Sequence, residues 1–138
     1  TRNAFDRTRS AGGSSGGAAV ALATRMLPVA DGSDSMGSLR NPAAWNNVYG
    51  FRPSQGRVPF WPAHDLWVTH VGTEGPMGRT VRDVALLLDV QAGHDPRVPL
   101  SLASEPSFAA RLVAGGGIEP AQPVRIGWLG DWDGHLAM

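Results

Sequence analysis

A short segment of small residues near the start of the chain restricts the backbone more than any other feature of the sequence. The segment Ala11–Ala21 reads AGGSSGGAAVA, in which four glycines bracket the adjacent serines Ser14 and Ser15. Glycine permits left-handed backbone angles and close approach of other segments, and the alanines that follow favour a helix. Three interpretations fit: a flexible loop, a phosphate-binding loop, and a nucleophile elbow with Ser15 as nucleophile. The loop lacks the Lys-Ser/Thr ending of a Walker phosphate-binding motif, and the residues before it form a poor strand, which a nucleophile elbow requires. The segment alone therefore does not decide among the three interpretations.

The composition argues against several kinds of site and partner. All 12 basic residues are arginines, so the chain has no lysine, and it has no cysteine for a disulfide, a thiolate metal site or a nucleophile. The four histidines are His64, His70, His94 and His135. Their spacing places no two of them on one helix face, as a helical metal site requires. We therefore expect neither a metal nor a cofactor.

Charge and hydropathy narrow the class of partner further. The net charge is zero and the arginines are scattered, which argues against nucleic acid as a partner. The longest apolar runs are too short to cross a bilayer, so no membrane partner is expected. These features predict a cytoplasmic protein that acts on a small molecule.

The first half of the chain alternates short predicted helices with short strands. A helix is predicted over residues 16–26, and Pro28 ends it because proline has no backbone donor. An extended segment follows and leads into a second turn of small residues. A short helix is predicted over residues 41–47, with Asn41 as its N-cap, and a strand at the start of residues 48–59. Helices interleaved with short strands predict an α/β layered fold.

The clearest helix signal lies within residues 75–93. Apolar residues recur there at helical spacing: Val81, Val84, Ala85 and Leu88. Thr80 and Asp83 resemble a capping box, and Gly93 suits the end of the helix. Beyond it we predict a short amphipathic helix over residues 107–114 and a strand within residues 124–132.

The second turn of small residues, read together with the first, makes the sequence similar to a known family. Three segments, GGSSGGAAVALA, DGSDSMGSLRNPAA and GFRPSQGRV, resemble the amidase signature family, and the resemblance runs from residue 1 to about residue 95. It implies a mixed β-sheet core surrounded by helices. It also implies a single partial domain over residues 1–138, with a core motif region over about 1–95 and a loop-rich extension over 96–138.

The resemblance implies a catalytic set of a serine, a second serine that follows a cis peptide bond, and a lysine. By position, Ser38 corresponds to the acylated nucleophile and Ser14 to the serine that relays protons, while Ser15 is a neighbour of uncertain role. A hydroxyl is a weak nucleophile until a base takes its proton, and a bridging hydroxyl can both accept and donate one. The backbone donors implied for the oxyanion are, besides Ser38 itself, Ser35, Met36 and Gly37.

Two further features of the second turn bear on this expectation. Asp34 and Arg40 flank the turn and are expected to pair and support it, the alternative being two separately solvated charges. Many members of the family have glycine where this chain has Met36. Because a backbone donor survives that substitution, we expect altered specificity rather than lost chemistry.

The base of the catalytic set is missing from this sequence. The family's lysine lies upstream of the glycine–serine loop, so we expect a fragment of a longer amidase, inactive or nearly so by itself. The expected reaction is hydrolysis of a small-molecule carboxylic amide, other than a peptide bond, through an acyl-serine. One alternative is the glutaminase subunit of a tRNA-dependent amidotransferase, whose usual GGS turn and KPTYGRVS-like segment differ from MGS and RPSQGRVP here. The other is a non-catalytic module. The oligomeric state is open, and a homodimer is compatible with the main interpretation as well as with both alternatives.

Overall fold

Helices pack on a small antiparallel sheet in the computed structural model of the chain, which describes residues 1–65, 67, 71–113, 125 and 127. The helices are α1 (Gly16–Ala23), α2 (Arg40–Trp45), α3 (Val81–Gln91) and α4 (Phe108–Val113). The strands are β1 (Val29–Asp34), β2 (Tyr49–Gly50) and β3 (Thr73–Gly78). The α/β class predicted from the sequence is confirmed, and the strands of the described residues pair antiparallel.

Strand β3 lies at the centre of the sheet, between β1 and β2. Its register with β1 runs from Val29 opposite Gly78 to Asp34 opposite Thr73. Because side chains alternate between the two faces of a sheet, Asp34, Thr73 and Met77 share one face. All three are buried, so this face carries the carboxylate of Asp34 into the interior.

The sequence did not predict β3, and residues 75–78 are a strand rather than part of the helical region expected from residue 75. The strand reads TEGPMG, and glycine and proline are poor strand formers. The carbonyl oxygen of Pro76 accepts from Phe51 N at 3.0 Å. The nitrogen and the carbonyl of one residue point to the same side of an antiparallel strand, so the nitrogen of Pro76 also points toward β2 and away from β1. The missing N–H of this proline therefore removes no hydrogen bond between β1 and β3. A Cβ at Gly75 would clash with the Phe51 carbonyl oxygen and lie 2.8 Å from Pro53 Cδ. Glycine is therefore required where the chain after β2 crosses β3.

The core lies where α1 and α2 meet the sheet. Its buried members are Ala19, Leu22, Leu39, Ala43 and Met77. The two alanines let the helices approach the strands closely, while Leu22, Leu39 and Met77 are fully buried. Full burial of a side chain of that size stabilises a fold by about 1.5–3 kcal/mol, so these three account for much of the attachment of the helices to the sheet.

Helix α3 agrees best with its prediction. The hydroxyl of Thr80 accepts from Asp83 N and the Asp83 carboxylate accepts from Thr80 N, each at 3.1 Å, which is the predicted capping box. The buried side chains of the helix are Val84, Ala85 and Leu88. Val81 is 52% exposed, so the apolar face is narrower than predicted.

Helices α1 and α2 are present, with boundaries that differ from the prediction. Helix α1 ends at Ala23 instead of residue 26, and Arg25 beyond it has a φ of +62°, which no α-helix contains. The prediction of Asn41 as N-cap of α2 is wrong, because the helix begins at Arg40 and Leu39 occupies the cap position.

The remaining predicted elements are shorter than expected or lie outside the described residues. The strand predicted at the start of residues 48–59 is only two residues long, and the helix predicted over 107–114 is α4. The strand predicted within residues 124–132 lies outside the described residues. No helix in the described part of the chain is both long and apolar enough to span a membrane.

Candidate active site

The two serine-containing turns lie side by side. We call residues 12–15 the first serine turn and residues 35–38 the second. The backbone N–H of Ser15 donates to the carbonyl of Ser38 at 3.2 Å, and the Ser15 hydroxyl lies 3.5 Å from the carbonyl oxygen of Ser33 in β1. The carbonyl of Ser15 also accepts from Ala19 N in α1 at 3.1 Å. The start of α1 thus fixes the first serine turn against the second.

A glycine in β1 makes this contact possible. A Cβ at Gly32 would clash with the hydroxyl oxygen of Ser15 and lie 2.8 Å from its Cβ. It would also lie 3.1 Å from Leu39 Cδ2. The first serine turn therefore packs directly on the backbone of the sheet.

Ser14 lies in the first serine turn with its side chain exposed. The peptide bond between Gly13 and Ser14 is cis, which is the geometry that the family resemblance implies at this position. Gly12 has a φ of +79°, and a Cβ there would lie 3.1 Å from both Pro42 Cα and Trp45 Cε3. The turn is therefore packed against α2 on its other side, while the role of Ser14 as a proton relay stays a prediction.

A buried carboxylate organises the second serine turn. Asp34 has no exposed surface, and its carboxylate accepts from the backbone N–H groups of Gly37 at 2.7 Å, Leu39 at 3.3 Å and Arg40 at 3.3 Å. The Arg40 guanidinium adds Nε to Oδ2 at 2.8 Å and Nη2 to Oδ1 at 3.0 Å, so the two residues form the predicted pair. The Arg40 side chain and then these backbone donors hold the pKa of Asp34 well below its usual range, although burial opposes them. The ionised carboxylate fixes the shape of the turn.

The backbone angle and the close surroundings of Gly37 both favour glycine at this position. Its φ is +102°, and a Cβ there would lie 2.7 Å from Asn41 Nδ2. Its N–H donates to Asp34, so this predicted oxyanion donor is already engaged in the structure. The N–H groups of Ser35, Met36 and Ser38 make no hydrogen bond to another described residue, and their role as oxyanion donors stays a prediction.

The side chain of Met36 points into solvent. It is 89% exposed, so it does not narrow a cavity within the described part of the chain. An effect of Met36 on specificity stays a prediction. Such an effect requires a substrate that contacts this exposed side chain.

Arg52 supports the second serine turn and was not found by sequence reasoning. Its Nε donates to the carbonyl of Asp34 at 3.1 Å and its Nη2 to the carbonyl of Val71 at 2.8 Å. The Nε also lies 3.8 Å from Asp34 Oδ1. Arg52 thus ties the end of β1 to the segment that enters β3. Its place in the segment GFRPSQGRV was the only signal in the sequence.

Asn46 is a second residue that sequence reasoning missed. It is fully buried, and its amide nitrogen donates to the carbonyls of Ala11 and Pro42, both at 2.8 Å. Its amide oxygen accepts from Ala4 N at 3.0 Å. The neighbouring Asn3 donates to the carbonyl of Trp45 at 2.7 Å. These bonds fasten the loop before the first serine turn to the end of α2.

The arrangement can supply part of a hydrolytic mechanism. It holds a half-buried hydroxyl on Ser38, an exposed hydroxyl on Ser14 and backbone donors beside Ser38. It supplies no lysine, because the sequence contains none. Within residues 1–65, 67, 71–113, 125 and 127, no cluster of three or more His, Asp or Glu side chains could hold a metal ion.

Comparison with known proteins gives one consistent family. A protein-family model described as Amidase matches residues 1–131. Among curated proteins, a glutamyl-tRNA(Gln) amidotransferase subunit of Thermus thermophilus is 45% identical over 127 residues, covering 92% of this chain and 26% of that protein. The corresponding protein of Deinococcus radiodurans is 43% identical, covering 92% and 25%. The chain thus spans about a quarter of the length of these relatives.

Solved structures agree. A bacterial aryl acylamidase of the amidase signature family matches with a TM-score of 0.74 and 49% identity, over 80% of this chain and 23% of that one. Native peptide amidase from Stenotrophomonas maltophilia matches with a TM-score of 0.71 and 36% identity, over 81% and 24%. In both cases this chain corresponds to about a quarter of a longer protein.

Proposed function

Because the chain belongs to the amidase signature family, we propose that its two serine turns form part of an active site that hydrolyses carboxylic amides in a longer enzyme. The observation that supports this most strongly is the hydrogen bond from Ser15 N to the Ser38 carbonyl, which joins the two turns. It brings the turn of Ser14, with its cis peptide bond, beside the turn of Ser38. A hydroxyl relay between two chain segments needs that proximity.

The proposed reaction uses Ser38 as nucleophile. Its oxygen attacks the amide carbonyl carbon while its proton passes through the Ser14 hydroxyl to a neutral lysine amine supplied by a segment outside this sequence. The negative charge on the carbonyl oxygen faces the free backbone donors of the second serine turn. When the C–N bond breaks, the leaving amine takes a proton by the same relay. Water then attacks the acyl-serine ester, releasing the carboxylic acid and restoring Ser38.

We propose a small-molecule amide rather than a peptide bond as the substrate. The aryl acylamidase is 49% identical to this chain, the highest identity among the structures compared above, and its name describes cleavage of an aryl amide. The exposed position of Ser14 and the half-buried position of Ser38 are compatible with access by a small molecule.

Replacement of the serines in the full-length gene product tests this proposal. Ser38→Ala should lower the rate of 4-nitroacetanilide hydrolysis by about 10⁴-fold or more, as loss of a nucleophile does in serine hydrolases. Ser54→Ala is a matched control, because Ser54 is exposed and belongs to neither turn. Unchanged hydrolysis in Ser38→Ala would refute the assignment of the nucleophile.

A glutaminase role in a tRNA-dependent amidotransferase is the second candidate, supported by the curated relatives at 45% and 43% identity. It predicts release of ammonia from glutamine that depends on partner subunits and tRNA, with little hydrolysis of anilides.

The codons upstream of Thr1 give a separate test. An upstream lysine in a segment of small residues supports either enzyme, whereas a start codon at this point and no hydrolysis would support a non-catalytic module.

A further inference from the structure

A cleft of 430 Å³ adjoins the second serine turn. Ser35, from that turn, lines the cleft together with Thr73 and Glu74 at the start of β3. A Cβ at Gly72 would lie 3.1 Å from the Ser35 hydroxyl oxygen, so the segment before β3 lies directly against the turn. A volume of this size accommodates a small aromatic or aliphatic group. A substrate whose carbonyl faces the second serine turn can therefore extend into the cleft.

The walls of the cleft are mostly apolar. Val58 and Phe60 come from the loop after β2, and Val98 and Leu100 from the loop after α3. Their side chains offer contacts to a flat or branched hydrocarbon group, whose transfer from water is favourable. The walls therefore favour the apolar body of a substrate.

The described lining of the cleft contains two acidic residues, Glu74 and Asp65, and no arginine. The Asp65 carboxylate already accepts from Trp67 N at 2.7 Å. Glu74 is half-buried, and its carboxylate makes no hydrogen bond to another described residue. Burial, and then the negative charge of Asp31 on β1, raise the pKa of Glu74, which is the behaviour of a carboxylate without a cationic partner. Arg52, which reaches the same region, donates instead to the carbonyls of Asp34 and Val71.

We propose that this cleft binds the part of the substrate distal to the scissile amide and selects an apolar group that carries a positively charged amine facing Glu74. The inference rests on the proposed amide hydrolysis only for the orientation of the substrate. A carboxylate beside apolar walls attracts an ammonium group and repels a second carboxylate, so substrates with an anionic distal group are disfavoured.

Three rigid amides of similar size test the selectivity in the full-length gene product. They are 4-(aminomethyl)benzamide, which is cationic, 4-ethylbenzamide, which is neutral, and 4-carbamoylbenzoate, which is anionic. We expect kcat/KM to fall in that order. Glu74→Gln should lower kcat/KM about tenfold for the cationic amide and leave the neutral one within about twofold. Asp6→Asn is the matched control, because it removes the charge of a partly exposed side chain outside the cleft.

A binding measurement separates failure of this inference from failure of the proposed reaction. Benzylammonium should bind the Ser38→Ala protein in calorimetry, and Glu74→Gln should weaken that binding about tenfold while benzyl alcohol binds both proteins alike. Phe60→Ala, at a 56% exposed position that tolerates truncation, should weaken both compounds. Glu74-dependent binding by a protein that hydrolyses no amide would support the cleft and overturn the reaction. Ser38-dependent hydrolysis with equal kcat/KM for all three amides, or benzylammonium binding unaffected by Glu74→Gln, would overturn the inference.

Discussion

Asp34→Asn tests whether the buried carboxylate holds the second serine turn in shape. In the structure, Oδ1 accepts from Gly37 N and Arg40 Nη2, while Oδ2 accepts from Leu39 N, Arg40 N and Arg40 Nε. An asparagine amide has only one acceptor oxygen, so its NH₂ group faces at least two donors in either orientation. Each buried donor left without a partner costs about 1–3 kcal/mol, and the partly exposed Arg40 recovers water contacts. We therefore expect the free energy of unfolding to fall by about 2–4 kcal/mol.

Urea unfolding of the full-length protein, followed by tryptophan fluorescence, measures this change. Asp6→Asn is the control of equal charge change, since Asp6 is a partly exposed residue whose carboxylate bonds only to Thr8 and Arg9 among the described residues. We expect the control to lower the free energy of unfolding by much less than Asp34→Asn does, because its hydrogen bonds and ion pair are exposed to solvent. Equal unfolding curves for Asp34→Asn, Asp6→Asn and the unmodified protein would show that something other than this carboxylate shapes the turn.

The pH dependence of the same measurement has a defined sign. The pKa of Asp34 is lowered in the folded protein, so its stabilising effect is fully present above the unfolded-state pKa and disappears as the pH falls through the folded-state value. The stability difference between the unmodified protein and Asp34→Asn should therefore be constant from about pH 5 to 8 and shrink below about pH 4. Glu74, whose pKa is raised, acts in the opposite sense in both proteins and cancels in the difference. A difference that grows toward acid would contradict the argument.

Substitutions at three further positions test other contacts of the site. Gly32→Ala places a Cβ against the Ser15 hydroxyl and should move the first serine turn away from the second. We expect kcat of the proposed hydrolysis to fall by about 100-fold while the circular dichroism spectrum stays unchanged. Full activity would show that the two turns need not touch. Arg52→Met removes the donors to the carbonyls of Asp34 and Val71 and should lower kcat more than it raises KM. Arg52→Lys should restore only part of kcat, because an ammonium group cannot reproduce the two separate N–H donors of a planar guanidinium. Met36→Gly should leave the thermal midpoint unchanged, because the side chain is 89% exposed, and should alter KM across amides of increasing acyl length if Met36 meets the substrate.

The sequence predicted those parts of the fold whose signals are local. The Thr80–Asp83 capping box lies within one turn of helix, and the apolar spacing that follows reports directly on the buried face of α3. The pairing of Asp34 with Arg40 was also predictable, because six residues separate them across one turn. The family resemblance, not local pattern, suggested that Ser14 and Ser38 belong together.

The sequence could not predict features that depend on distant contacts. Strand β3 reads TEGPMG and has little intrinsic strand preference, so its central place in the sheet comes from pairing with β1 and from the close crossing at Gly75. Arg52 and Asn46 are ordinary polar residues by pattern. They matter because they bond to partners 18 and 35 positions away in the chain, which no local periodicity reveals.

The buried amide of Asn46 has a consequence for how such chains can change in length. It bonds to Ala4, Ala11 and Pro42, so the loop before Ser14 is anchored to α2 and not to the connection between α1 and β1. Insertions in the exposed connection over residues 24–27 should leave the spacing of the two serines in space unaltered. A single residue inserted between Pro42 and Asn46 should instead rotate the amide away from its partners and displace the loop that carries Ser14. Natural relatives with insertions should therefore carry them in the former segment and keep the latter at constant length.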